Sequence, residues 1–159
     1  MNKMKIKKTL TIRIILLMFG STSIMSLKAQ NLKKDKWIHR ILIVKSSDLK
    51  SNKYQEQIKE FKNSFQELID RKIILYNIVG DDFVLIDYKN NESNDSGKIS
   101  KKLNHKILNE KEDFEIILIG LDGGIKLQQT EILTKEALFN IIDSMPMRKN
   151  ELITNKNKN

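Results

Sequence analysis

An α/β fold, with a mixed sheet of four to five strands between helices in a three-layer α/β/α arrangement, follows from three features of this 159-residue sequence. The segments Trp37-Ile38-His39-Arg40-Ile41-Leu42-Ile43-Val44 and Phe114-Glu115-Ile116-Ile117-Leu118-Ile119 are too apolar for strands wet on one face, so a central sheet needs cover on both sides. Tyr54, Ile58, Phe61, Phe65, Leu68 and Ile69 recur at helical spacing and supply one covering stripe. Asp122-Gly123-Gly124 offers the positive-φ positions that a tight hairpin between two apolar segments requires.

Residues 1–29 stand apart from the rest. They carry six basic residues and no acidic one, then the apolar core Ile14-Ile15-Leu16-Leu17-Met18-Phe19 and a small residue at Ala29. That pattern reads as a secretory signal peptide cut after Ala29, because the core falls far short of the ~20 residues a membrane span needs, with an uncleaved membrane anchor as the alternative. Its removal leaves 23 basic against 20 acidic residues, a net +3 in place of the formal +9. The high charge therefore belongs to the export segment, and the case for a nucleic-acid partner falls away. With no cysteine in the chain, the exported domain must hold by burial alone, and an acylated-cysteine anchor is excluded.

The mature chain is expected to begin with a polar lead-in over residues 30–36, followed by a first strand over 37–44. Ser46, Ser47 and Asp48 are caps for a long helix of about five turns over the Tyr54 to Ile69 stripe. A second strand is expected over 72–79, a short third over 83–88, an exposed loop over 90–97, and a weaker helix carrying Ile99, Leu103, Ile107 and Leu108. The strands 114–119 and 125–127 form the hairpin. Thr134 caps a last helix that Pro146 stops, and residues 152–159 are expected to be a disordered tail. The order strand, helix, strand, helix, hairpin, helix is that of the thioredoxin-like fold, with the first two strands parallel and the hairpin antiparallel.

Several stretches also carry a family resemblance: Trp37-Ile38-His39-Arg40-Ile41-Leu42, Asp70-Arg71-Lys72, Leu118-Ile119-Gly120-Leu121-Asp122-Gly123-Gly124-Ile125-Lys126-Leu127 and Ile142-Asp143-Ser144-Met145-Pro146-Met147-Arg148. Together they resemble the bacterial domain of unknown function 4174, over nearly all of residues 37–151. That family is similar to domains of sushi-repeat and coiled-coil extracellular matrix proteins. The resemblance implies a thioredoxin-like fold and an exported protein, and no established activity. Leu121 departs from the Lys common in the family.

In thioredoxin-like enzymes the reactive cysteine sits where the first strand meets the first helix, whose N-terminus lowers the thiol pKa. Here that junction is Ser46-Ser47-Asp48, and a hydroxyl cannot perform thiol–disulfide exchange, so oxidoreductase and peroxidatic chemistry of that kind are excluded. What such a junction retains is affinity for anions, which makes Arg40, Ser46, Ser47 and Asp48 the candidate ligand-binding residues, with ordinary capping as the plainer role. Ser47 as a hydrolase nucleophile needs a base, and neither His39 nor His105 is placed for it; there is no Gly-x-Ser-x-Gly elbow. Two distant histidines are no metal set, and Met145-Pro146-Met147 reads as packing at a helix end rather than a Cu(I) site, so no metal or cofactor is expected. Asp143, Met147 and Arg148 are candidate partner contacts, with an Asp143–Arg148 ion pair as the alternative.

The expected function is that of a secreted or periplasmic domain without redox cysteines, binding an envelope or extracellular protein or a small ligand, and meeting the membrane only through its signal peptide. The alternative is an enzyme with non-thiol chemistry at Ser46, Ser47 and Arg40.

Overall fold

The computed structural model describes residues 32–90 and 94–156, so the expected signal peptide lies outside the described residues. Strand β1 (Arg40–Ser46) is central. It pairs in parallel with β2 (Ile73–Val79), Arg40 opposite Ile73, and antiparallel with β5 (Phe114–Ile119), Ile41 opposite Ile119. β3 (Asp82–Asp87) adds antiparallel to β2, β4 (Asp95–Lys98) to β3, and β6 (Ile125–Gln129) to β5. The result is one mixed six-stranded sheet in the order β4-β3-β2-β1-β5-β6. Five α-helices accompany it: α1 (Asn52–Phe61), α2 (Phe65–Asp70), α3 (Lys101–Ile107), α4 (Lys135–Ser144) and α5 (Pro146–Lys156), with a 3₁₀ turn at Leu32–Asp35.

Every residue of β1 and β5 is buried, which is why these strands read as continuous apolar runs. The two-residue alternation of strands sorts their side chains into two cores. On one face Leu42, Val44, Ile73, Leu75, Ile116 and Leu118 pack beneath Tyr54 and Phe61 of α1, Leu68 of α2, and Leu138 and Ile142 of α4. Full burial of residues such as Leu138 and Ile142 contributes about 1.5–3 kcal/mol each. On the other face Ile41, Ile43, Ile74, Tyr76, Ile78, Ile117 and Ile119 meet Leu103 of α3 and Leu108, with Leu32 at the edge. Cover there is thinner. A seven-residue helix is about 10 Å long, against about 23 Å for β1 or β2, so residues outside α3, Leu32 and Leu108 among them, complete the cover and keep Ile41, Ile43, Ile74, Tyr76 and Ile78 at 2% exposure or less.

The structure corrects several expectations. The long first helix is two, because the buried Ser64 donates its N–H to Phe61 O (3.1 Å) while its carbonyl accepts from Leu68 N (2.9 Å), ending one helix and starting the next. Phe65 is thereby half-exposed and stacks on Tyr88 at 5.3 Å instead of entering the core. β1 begins at Arg40 and not at residue 37, since Trp37 sits in the left-handed region (φ 69°) with its N–H on Leu121 O. The expected loop over 90–97 overlaps β4, a polar edge strand held by backbone pairing and by the Lys98–Asp82 ion pair (2.8 Å), which raises the strand count to six. Pro146 does not stop the last helix; it opens α5, where its missing N–H costs nothing. α5 carries the chain to Lys156, so the expected tail is helical over most of its length, and residues 157–159 lie outside the described ones. Met147, expected to pack at a helix end, is exposed.

Candidate functional site

At the far end of β1 the Ser46 hydroxyl donates to Asp48 O (2.8 Å) and accepts from Asp48 N (3.2 Å). The Asp48 carboxylate accepts from Lys50 N at 2.9 Å. These are local turn bonds. α1 starts only at Asn52, with Ser51 in the cap position, so residues 46–48 do not form the helix start expected of them. Arg40 lies at the opposite end of the seven-residue strand, about 20 Å away. The structure therefore does not bring Arg40 together with Ser46, Ser47 and Asp48, and the constellation behind the enzyme reading is not assembled.

Arg40 instead joins an ionic cluster at the start of β1 and β2, in which Arg40 and Arg148 are buried and Asp70 and Lys72 reach solvent. It donates to Arg71 O (2.9 Å) and to Glu151 of α5 (3.3 Å). Arg71 meets Asp143 at 2.6 Å, and Lys72 meets Glu151 at 3.3 Å. Arg148, its side chain 2% exposed, bonds Asp143 (3.2 Å), Asp70 O (2.9 Å) and the Asp70 carboxylate. The Asp143–Arg148 pair is thus present as one link of a larger network. Burial raises the Asp143 carboxyl, but hydrogen bonds and charge from Arg71 and Arg148 outweigh it and hold it below its ordinary range. The Arg148 guanidinium is likewise lowered by burial and raised further by Asp70 and Asp143, with a net upward shift. Arg148 is spent inside the fold, which leaves Met147 as the exposed member of the expected contact trio.

A separate concavity opens on the thinly covered face. It is a cleft of about 180 Å³ lined by Lys34, Asp35, His39, Ile74, Leu85 and Asp87. Ile74 and Asp87 are register partners in β2 and β3, so the strand pairing sets the floor. The other wall comes from the bend before β1: Asp35 O accepts from both Ile38 N (2.9 Å) and His39 N (2.8 Å), folding His39 back over Asp35. His39 Nδ1 lies 3.3 Å from Asp35 Oδ1, while Asp35 Oδ2 is buried without a hydrogen-bond partner. Burial, followed by the charges of Asp35 and Asp95, pushes the Tyr76 phenol well above its ordinary range, so it stays a protonated donor. Among the described residues no three His, Asp or Glu side chains gather as a metal ligand set, and no helix is long and apolar enough to cross a membrane.

Sequence reasoning placed Asp35 in a lead-in and His39 in a strand, and so kept them apart. The signal that unites them is the spacing of an acid and a histidine four positions apart in a segment that turns before the strand begins.

No curated protein matches the chain, and no solved structure does. A family model does match, over residues 31–151, from the 3₁₀ turn before β1 to the Glu151 that closes the ionic cluster. On that match, which spans most of its length, the chain belongs to the domain of unknown function family DUF4174.

Proposed function

We propose that this chain is an exported, thioredoxin-like domain that works by binding instead of thiol chemistry, and that its ligand site is the cleft at Asp35 and His39. The single observation carrying this reading is that cleft: a concavity on the α3 face of the sheet with a buried carboxylate oxygen that has no hydrogen-bond partner among the described residues. Export rests on the basic, apolar and small-residue order of residues 1–29. The thioredoxin-like reading rests on the parallel β1–β2 pair, the antiparallel β5–β6 hairpin on the other side of β1, and the helix that follows. β3 and β4 are then an edge extension. The β1–α1 junction that would carry a reactive thiol holds Ser46-Ser47-Asp48, where the side chains of Ser46 and Asp48 bond within the turn.

The purified chain should be inactive in an insulin-reduction assay. A panel of small amines, acids and neutral compounds should contain members that raise its melting temperature in a concentration-dependent way, as mass action requires of any ligand preferring the folded state. Insulin reduction by the chain, or a melting temperature indifferent to the whole panel, contradicts the reading.

A further inference from the structure

We infer that the cleft is a cation site, taking a primary ammonium or guanidinium head on a short apolar stem. This rests on the cleft being a ligand site at all, as proposed above. Asp35 carries the argument. Its side chain is 9% exposed, one oxygen faces His39, and the other is shut away from water with no donor. A buried carboxylate oxygen left unmatched costs more than the hydrogen bond it lacks, so the fold tolerates a deficit that an incoming donor would remove.

The surroundings select a positive donor. Asp87, also buried, gives Oδ1 to the backbone N–H groups of Lys89 (3.0 Å) and Asn90 (3.1 Å), which fixes a second carboxylate at the cleft. Against two carboxylates the lining offers Lys34, which is exposed, and His39. The contrast with the other end of the sheet is direct: there Glu151, Asp143 and Asp70, all less buried than Asp35, each meet an arginine of the same chain, whereas the one ion-pair partner of Asp35 among the described residues is His39. Ile74 and Leu85 provide an apolar floor along which the methylenes of an amine can lie while its charged head reaches the acids. The volume of about 180 Å³ is below that of pockets for drug-sized ligands, so it suits a head group and not a nucleotide.

Amide chemical shifts of the purified chain, followed by nuclear magnetic resonance at constant ionic strength, test this. The probes are ethylammonium, methylguanidinium, acetate and propanol, with a blocked Gly-Lys-Gly peptide to separate a free amine from a lysine side chain. Saturable shifts at residues 34–39, 74 and 85–87 are expected with the cations, and tighter binding of the peptide would assign the site to a protein's lysine. Asp35→Asn keeps the shape, removes the charge, and should weaken binding at least about tenfold. Asp122→Asn, in the exposed hairpin turn, should leave it unchanged. If Asp35→Asn does not fold, Asp87→Asn replaces it, with a weakening in the same direction expected. Cleft shifts with propanol or acetate but not the cations overturn the cation assignment and leave the ligand-site reading standing. Shifts with none of the probes overturn the cation assignment, and a flat melting-temperature panel decides the wider reading separately. Equal affinity in the Asp35→Asn chain also overturns it.

Discussion

Arg40 opens β1 and Glu151 lies in α5, 111 positions later, yet the Arg40 guanidinium stands 3.3 Å from the Glu151 carboxylate with its own side chain 1% exposed. Glu151 is only 15% exposed and also meets Lys72 and Arg148, so it anchors the C-terminal helix to the starts of both parallel strands. Such a cluster says little about net stabilisation, because desolvating its charges offsets most of their attraction. Removing one member is a different matter, since it strands the others.

Glu151→Gln should therefore destabilise the chain by about 3 kcal/mol, measured by urea unfolding. The substitution keeps the size of the side chain and deletes only the charge that Arg40 faces. A loss below about 1 kcal/mol would place the pair in the class of weak surface bridges.

Acid should act on the same cluster through Asp143. Its folded-state carboxyl titrates below its ordinary value because Arg71 and Arg148 outweigh the effect of burial. The contribution is complete above the unfolded value of about 4 and is lost as pH falls through the lower folded value. Asp143→Asn should thus reduce stability at neutral pH and flatten its decline below pH of about 4. Parallel acid profiles for the two chains would contradict the assignment.

The β5–β6 turn gives a backbone test. Gly123 has φ +77°, which a side chain resists, and its N–H closes the turn on Gly120 O at 2.9 Å. Gly123→Ala should cost about 1 kcal/mol. At Gly124 φ is not positive, and an added Cβ would meet the Asp122 carboxylate at 3.4 Å and the Lys126 amine at 3.6 Å, both able to move. Gly124→Ala should be nearly neutral, with both variants measured by thermal unfolding.

Much of the sheet was legible in the sequence because β1, β2 and β5 are buried on both faces or nearly so, and burial leaves continuous apolar runs. Thr134 was legible as a cap for a different reason: its hydroxyl accepts from Ala137 N by a local rule that tertiary packing did not override. β4 was not, since Asp95-Ser96-Gly97-Lys98 joins the sheet through backbone pairing with β3 and buries almost no apolar surface. The left-handed Trp37 was also hidden, because its N–H is held by Leu121 O, outside its own segment. The sites follow the same division. Asp143 and Arg148 were readable as a pair from their spacing, whereas Arg40 and Glu151, or Asp35 and Asp87, meet only once the fold is closed.

The central claim is that this domain binds its ligand at the cleft and not at the β1–α1 junction. Amide hydrogen exchange of the purified chain, with and without the compound that most raises its melting temperature, tests this most directly. The account predicts new protection over residues 34–39 and 85–87, with residues 46–50 unchanged. Protection confined to residues 46–50, or absent from the cleft, would contradict it.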